Sequence, residues 1–132
     1  MKIALTSINP PHTTNIFEGR KTIEWRTFPM PIGIHYVYET KRCFGQGLVI
    51  GSMEIARNYS FNSVNEIPDY MIIAGCVPRD FLEAYAKGRK LYANIISDRK
   101  LFDAPKIITC FTNFTTRQLL TRAPQSYMYI EV

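Results

Sequence analysis

Apolar and polar residues alternate with a period of two in several short segments, and proline, glycine or a polar turn soon interrupts each one. In the clearest case, residues 34–40, two sets of side chains would point to opposite faces: Ile34, Tyr36 and Tyr38, and His35, Val37 and Glu39. A period of two is the period of a β-strand, where successive side chains alternate between faces. The pattern therefore predicts a sheet built from short strands.

The same pattern predicts further strands over residues 2–7, 21–26, 47–56, 91–97 and 127–132. Within residues 47–56 the apolar phase changes, which predicts a β-bulge near Gly51 and Ser52 and a sheet that curls. After residue 97 we expect a turn at 98–100, irregular chain at 102–105 and a strand or buried connection at 107–111.

Short helices are predicted between the strands, over residues 15–18, 69–74 and 78–87. We expect Thr13 or Thr14 to cap the first helix and Gly19 to end it in the left-handed conformation. About five to seven strands with a few helices describe an α+β domain around a small, curled, mixed β-sheet. Such a sheet leaves few exposed edges if it closes into a barrel.

The composition indicates a folded chain and favours an anionic partner. Hydrophobic residues make up 46% of the 132 residues, and 8 Phe, 8 Tyr and 1 Trp supply large surfaces to bury, which excludes a disordered chain. The length predicts one domain over residues 1–132. No apolar run approaches the ~20 residues of a membrane helix, and the first residues do not resemble a signal peptide. We therefore expect a cytoplasmic protein that does not associate with a membrane. The net charge of +5 favours an anionic partner.

The cysteines and histidines do not predict a metal site or a disulfide framework. Cys43, Cys76 and Cys110 form no C-x-x-C pair, and their apolar or mixed surroundings predict buried, ordinarily packed thiols. His12 and His35 are too far apart for a helical pair of metal ligands. No cofactor is predicted, because the dinucleotide-binding and P-loop glycine patterns are both absent.

One polar cluster could carry chemistry. Glu24 and Arg26 would lie on the same strand face, about 7 Å apart along the backbone. Lys21 stands at the start of that strand, and Gly19 allows a tight turn before it. Two cations beside one carboxylate suit a phosphate with a nearby base, whereas the alternative is a surface ion pair on a half-exposed strand.

These residues, Gly19, Lys21, Glu24 and Arg26, reproduce the pattern G-x-K-x-x-E-x-R. On this motif the chain resembles the ASCH family, whose PUA-like β-barrel domains are associated with RNA. The resemblance continues along nearly the whole chain, through the blocks HYVYET, GLVIGSMEI, YAKGRKLYANIISDRKLFDAPKII and RAPQSYMYI. It implies that the mixed sheet closes into a PUA-like β-barrel with a few short helices inserted.

The resemblance also implies an RNA or nucleotide-like ligand, because PUA-like domains bind RNA or modified bases. Apart from the resemblance, Tyr36 or Tyr38 could line a cleft with its hydroxyl rather than only pack, and Glu54 lies in a block that resembles the family. The candidate ligand-binding residues are therefore Gly19, Lys21, Glu24, Arg26, Tyr38 and Glu54. Many ASCH members have lysine where this chain has Asn9, which removes one phosphate contact.

Hydrolysis is the alternative function, since ASCH relatives include a bacterial acetylcytidine amidohydrolase and ribonucleases. The amidohydrolase motif GRKTIT shares Lys21, but Glu24 stands where that relative has threonine. Lys21 and Glu24 are catalytic candidates only if the chain is an enzyme, with Glu24 as a base for water and Lys21 polarising an oxygen. A partner-binding domain, in which the motif is an internal ion-pair network, is a third possibility.

Three other features have two interpretations each. Trp25 alternates with Ile23, which favours a core position over stacking on a base. Residues 125–127 resemble a family block and could complete a polar cleft. One interpretation of the basic cluster is that it contacts phosphates, and the other is that its residues belong to solvated turns. The cluster consists of Lys87, Arg89, Lys90, Arg99 and Lys100.

Overall fold

The computed structural model describes all 132 residues and is built around one mixed sheet of seven strands. The strands are β1 (Lys2–Ile8), β2 (Ile23–Arg26), β3 (Gly33–Glu39), β4 (Leu48–Phe61), β5 (Leu91–Lys106), β6 (Thr112–Asn113) and β7 (Tyr127–Glu131). Across the sheet they follow the order β2-β5-β4-β3-β1-β7-β6. β1 and β3 are parallel, and every other neighbouring pair is antiparallel.

Three α-helices connect these strands: α1 (His12–Phe17), α2 (Asp69–Ala74) and α3 (Arg79–Ala86). The three predicted helices are therefore confirmed, but the predicted threonine cap of α1 is wrong. α1 begins at His12, and buried Thr13 donates its hydroxyl to Glu39 Oε2 at 2.5 Å instead. Gly19 has the expected left-handed conformation, with φ of +85°. None of the helices is long and apolar enough to cross a lipid bilayer.

The sheet is open, so the predicted closure into a β-barrel is wrong. β2 and β6 are its two edges, and each pairs with one neighbour only. The free edge of β2 meets the end of α2 rather than another strand, and Thr22 N–H donates to the Ala74 carbonyl at 2.9 Å. A helical segment thus occupies the place that a closing strand would need.

β4 pairs irregularly with both of its neighbours, β3 and β5. Val37 is opposite Gly51 and Tyr38 is opposite Val49, so Ile50 is the extra residue of a bulge, one position from the predicted one. The predicted turn at 98–100 is wrong, as is the irregular chain at 102–105. β5 continues through both because β4 supplies partners along its length, with register shifts that absorb the irregularity.

The core has three apolar clusters, and one of them holds the inward face of β2. Ile23 and Trp25 pack there against Met71 of α2 and Leu82 of α3. Trp25 is 5% exposed, which confirms the core position predicted for it. The opposite face of β2 carries Glu24 and is left for polar contacts.

The prediction of buried cysteines is wrong. Cys43 and Cys110 are exposed and Cys76 is partly buried, and all three are free thiols. Cys43 and Cys110 each lie in a 3₁₀ turn, at Arg42–Phe44 and Ile108–Cys110. Their apolar sequence neighbours do not bury them, because these turns lie outside the sheet.

A buried asparagine fixes β2 to the rest of the sheet. Asn94 of β5 is fully buried; its Nδ2 donates to the Glu24 carbonyl at 3.0 Å, and its Oδ1 accepts from the Met30 N–H at 2.9 Å. Asn58 Nδ2 donates to the same Oδ1 at 2.6 Å. This network sets the position of Glu24 before any ligand is considered.

We predict that Asn94→Leu lowers the free energy of unfolding by about 2 kcal/mol, because the buried Met30 N–H loses its acceptor and the side-chain hydrogen bond to the Glu24 carbonyl is lost. Urea denaturation measures this loss. Asn65→Leu, on an exposed turn, is the matched control and should change stability by less than about 0.5 kcal/mol. Equal losses in the two variants would contradict the structural role of Asn94.

Candidate functional site

A half-open cavity of ≈ 280 Å³ lies beside the free edge of β2. Five parts of the chain form its wall: the end of β1 and start of α1, β2 with the residues before it, the residue after β3, α3 with the residues before it, and the segment before β7. The polar and main-chain wall comprises Ser7, Asn9, His12, Lys21, Glu24, Arg26, Thr40 and Gln125, and the apolar wall Ile8, Trp25, Val77, Phe81, Leu82 and Tyr85.

Lys21, Glu24 and Arg26 form a charged cluster in this wall. Arg26 Nε donates a hydrogen bond to Glu24 Oε2 at 3.0 Å. Arg26 Nη2 lies 2.9 Å from the same oxygen. Lys21 Nζ lies 3.5 Å from the other oxygen, Glu24 Oε1. The side chains of Lys21, Glu24 and Arg26 are only 2%, 8% and 13% exposed, so this cluster is not the surface ion pair that the sequence left open.

The pKa of the Glu24 carboxyl is lowered despite its burial. Burial alone would raise this pKa, but the charges of Arg26, Lys21 and His12 and the hydrogen bond from Arg26 outweigh it. Glu24 is therefore ionised at neutral pH. The cluster carries two positive charges and one negative charge, which leaves a net positive charge in the wall.

Local backbone structure explains how these three side chains meet. The Asn15 carbonyl accepts from the Arg20 and Lys21 N–H groups, both at 2.9 Å, which closes the turn after α1. Gly19 in that turn is not in the cavity wall; a Cβ there would lie 2.8 Å from Arg99 Nη2. The alternation of β2 then places Glu24 and Arg26 on one face.

Two contacts hold the cluster across the edge of the sheet. Arg26 Nη2 donates to the Ser7 carbonyl of β1 at 3.1 Å. Lys21 Nζ donates to the Gly75 carbonyl, directly after α2. Gly75 must lack a side chain, because a Cβ there would lie 2.2 Å from Trp25 Nε1. The motif therefore joins β1, β2 and the α2–α3 connection.

His12 is a further residue of the cavity wall that the sequence pattern did not single out. Its Nδ1 is buried and has no hydrogen-bond partner. Its pKa is lowered by burial and by the charge of Lys21, with Arg26 adding to the effect and Glu24 opposing it. The ring is therefore neutral at physiological pH. Its position at the start of the helix that leads into the motif is the only sequence signal for it.

The α3 wall was also missed as a part of the site. Phe81 and Tyr85, one helical turn apart, are stacked with ring centroids 6.5 Å apart and an interplanar angle of 8°. Phe81 is half exposed. Their spacing in the sequence predicted a helix, but it did not predict that these side chains would lie across the cavity from the charged cluster. The cavity thus combines a charged side with an apolar and aromatic side.

Besides Gly19, two more of the predicted ligand-binding residues do not line this cavity. Tyr38 packs against the apolar cluster around Leu5 and Val49. Glu54 accepts a hydrogen bond from Ser97 Oγ at 3.1 Å, between β4 and β5. Gln125, from the segment expected to complete a cleft, does line the cavity. No group of three or more His, Cys, Asp or Glu side chains is arranged to hold a metal ion.

Comparison with solved structures shows the fold. The chain superposes on the crystal structure of ASCH from Zymomonas mobilis with a TM-score of 0.74 and 19% sequence identity, covering 97% of this chain and 87% of that one. Crystal structures of two point mutants of the Zymomonas mobilis protein give TM-scores of 0.76 and 0.74, each at 20% identity, with coverage of 99% and 97% of this chain and 91% and 87% of theirs.

No family model matches the sequence, and no curated protein matches it either. The chain nevertheless has the fold of an ASCH domain along nearly its whole length, which confirms the sequence resemblance at the level of the fold.

We predict that Glu24→Gln lowers the free energy of unfolding at pH 7 by about 3 kcal/mol, because Lys21 and Arg26 lose their buried counter-charge. The pKa of Glu24 is lower in the folded protein than its ordinary value of 4.5. Ionised Glu24 therefore stabilises the folded state fully above pH 4.5, and this stabilisation is lost as the pH falls through the folded-state pKa. The difference between wild type and variant should therefore shrink below about pH 4.5. Denaturant unfolding at several pH values measures it.

Glu18→Gln is the control for this experiment, because Glu18 forms an exposed ion pair with Arg20. It should change stability by less than about 1 kcal/mol at any pH. A pH-independent difference between wild type and Glu24→Gln would contradict the lowered pKa.

Proposed function

We propose, on the premise of an ASCH-domain fold, that this chain binds one nucleotide unit of RNA, or a modified nucleotide, in the cavity beside β2. The observation that carries the proposal is the buried cluster of Lys21, Glu24 and Arg26 in the wall of a cavity whose other side is aromatic. A nucleotide has the matching parts: an anionic phosphate, polar base edges and a flat apolar face.

The groups of the cluster retain hydrogen-bonding capacity for a ligand. Lys21 has three N–H donors; one bonds to the Gly75 carbonyl and one faces Glu24. Arg26 uses Nε and Nη2, which leaves Nη1. Glu24 Oε1, which faces Lys21 Nζ at 3.5 Å, has a second lone pair to accept from an amino group of a base. The remaining donors can bind a carbonyl or phosphoryl oxygen.

The energetic cost of the cluster supports a role in binding. Desolvating two cations and one carboxylate is expensive, and well-packed apolar residues at such positions are often equally or more stabilising. The cluster also keeps a net positive charge next to the opening, which attracts an anion. A purely structural ion-pair network needs neither an opening nor unused donors.

We predict that Lys21→Met and Arg26→Gln each weaken binding of a mixed-sequence single-stranded RNA by about tenfold or more, because a charge-assisted contact is lost. Fluorescence anisotropy at about 50 and 200 mM salt measures affinity and its salt dependence. Arg20→Gln, on the exposed turn beside the motif, is the control and should have little effect. Thermal melting confirms that each variant is folded under the conditions of the assay.

The proposal fails if wild type binds neither RNA nor nucleoside monophosphates, or if Arg20→Gln weakens binding as much as Lys21→Met. If the cluster variants unfold and wild type binds no ligand, the motif stabilises the fold of a structural or partner-binding domain.

Hydrolysis of a modified nucleoside is the second candidate, and His12 is the observation that favours it. Glu24 is a weak base because its pKa is lowered, whereas His12 lies in the same wall as a neutral imidazole. On an N4-acetylated cytidine, His12 would take a proton from water as the water oxygen attacks the acetyl carbonyl. The bond between carbon and N4 then breaks, the proton passes to the leaving amine, and acetate and cytidine form.

For this candidate we predict that His12→Asn lowers the release of acetate from N4-acetylcytidine by about 100-fold while binding is retained. The wild-type rate should rise with pH through a value below 6.5, because the pKa of His12 is lowered from that value. Chromatography of the products follows the reaction. Absence of product with wild type, or full activity in His12→Asn, would remove His12 as the base.

A further inference from the structure

The turn that follows β3 presents an unusual combination of side chains at the rim of the cavity. Lys41, Arg42 and Phe44 are exposed, and Phe44 is the most exposed large apolar side chain in the chain. An aromatic ring held fully in water next to two cations has no role in the packing of the core. We call residues 41–44 the rim loop.

The backbone of the rim loop is held in an unfavourable conformation. Cys43 and Phe44 have φ of +49° and +64°, two consecutive left-handed residues that carry side chains. This region is disfavoured for a bulky residue such as phenylalanine and persists only where surrounding contacts fix it. Phe44 itself makes no packing contact that would hold it, so the fixation comes from the two ends of the loop.

The first end of the rim loop is attached to the cavity wall, and the second end is attached to the end of β3. On the first side, Thr40 lines the cavity, its N–H donates to the Ile8 carbonyl at 3.1 Å and its hydroxyl to Asn9 Oδ1 at 2.7 Å. On the second side, Gln46 N–H donates to Glu39 Oε1 at 2.8 Å. Ile8 and Asn9 also line the cavity, so the first end of the loop lies at its rim.

We propose that the rim loop binds the nucleotide next to the one held in the cavity, with Phe44 stacking on its base and Lys41 and Arg42 contacting phosphates. The ligand of the cavity is then a single-stranded RNA segment rather than a free nucleotide. This inference rests on the proposed function. Exposed aromatics stack on bases with little sequence preference, and each phosphate contact adds salt dependence.

The inference is tested by comparing two ligands: a single-stranded RNA of mixed sequence and a mixture of the four nucleoside 5′-monophosphates. Phe44→Ala should weaken binding of the RNA by about tenfold and leave binding of the monophosphates unchanged. Phe44→Trp should restore RNA binding, because it keeps the stacking surface. The double variant Lys41→Gln/Arg42→Gln should lower the salt slope of RNA binding by about two.

Tyr70→Ala is the matched control, since Tyr70 is an exposed aromatic residue of α2 that does not line this cavity. It should leave both affinities unchanged. Because Phe44 is fully exposed, its replacement should not affect folding, and thermal melting checks this.

The outcomes separate this inference from the proposed function. If Lys21→Met weakens both ligands and Phe44→Ala weakens neither, the cavity binds nucleotides and the rim loop does not take part. If wild type binds monophosphates but not RNA, the inference is overturned while the proposed function stands. If neither ligand binds, both fall. If Phe44→Ala abolishes binding to phosphatidylserine-containing vesicles without changing RNA binding, the loop contacts lipid instead.

Discussion

The ion pair between Glu24 and Arg26 is the interaction on which the architecture of the site depends. It lies on the edge strand β2, which pairs with β5 on one side and has no neighbouring strand on the other. Arg26 extends from this pair to the Ser7 carbonyl, and Lys21 extends to the Gly75 carbonyl. Side chains therefore connect β2 to β1 and to the helical connection. Because these groups are desolvated, their interactions are strong when all are satisfied and costly when one is removed.

The open seam and the cavity have the same physical origin. A closing strand would have placed backbone groups against the free edge of β2 and filled the space with its own side chains. Here the end of α2 accepts a hydrogen bond from Thr22, directly before β2, and a cavity lies between β2, α3 and the start of α1. The same arrangement keeps Glu24 buried but still facing an opening, which is the combination that ligand recognition needs.

Local patterns predicted most of the elements and the centre of the site, for identifiable reasons. Period-two alternation set the faces of β2, so Ile23 and Trp25 were assigned inward and Glu24 and Arg26 to the other face. The pattern failed at residues 98–100, where polar residues indicated a turn but pairing with β4 continues the strand. It also gave no information about His12 or the α3 wall, because their proximity to Glu24 arises between distant segments.

By itself, the sequence determined which residues alternate, and that Glu24 and Arg26 share one strand face with Lys21 shortly before them, because these depend on spacing of a few residues. Only the tertiary structure decided that the sheet stays open, that Tyr38 and Glu54 lie elsewhere, and that His12, Phe81 and Gln125 share a cavity with the charged cluster. It also decided that the cluster is desolvated. Burial and edge pairing depend on contacts between residues far apart in the chain, and no local pattern contains them.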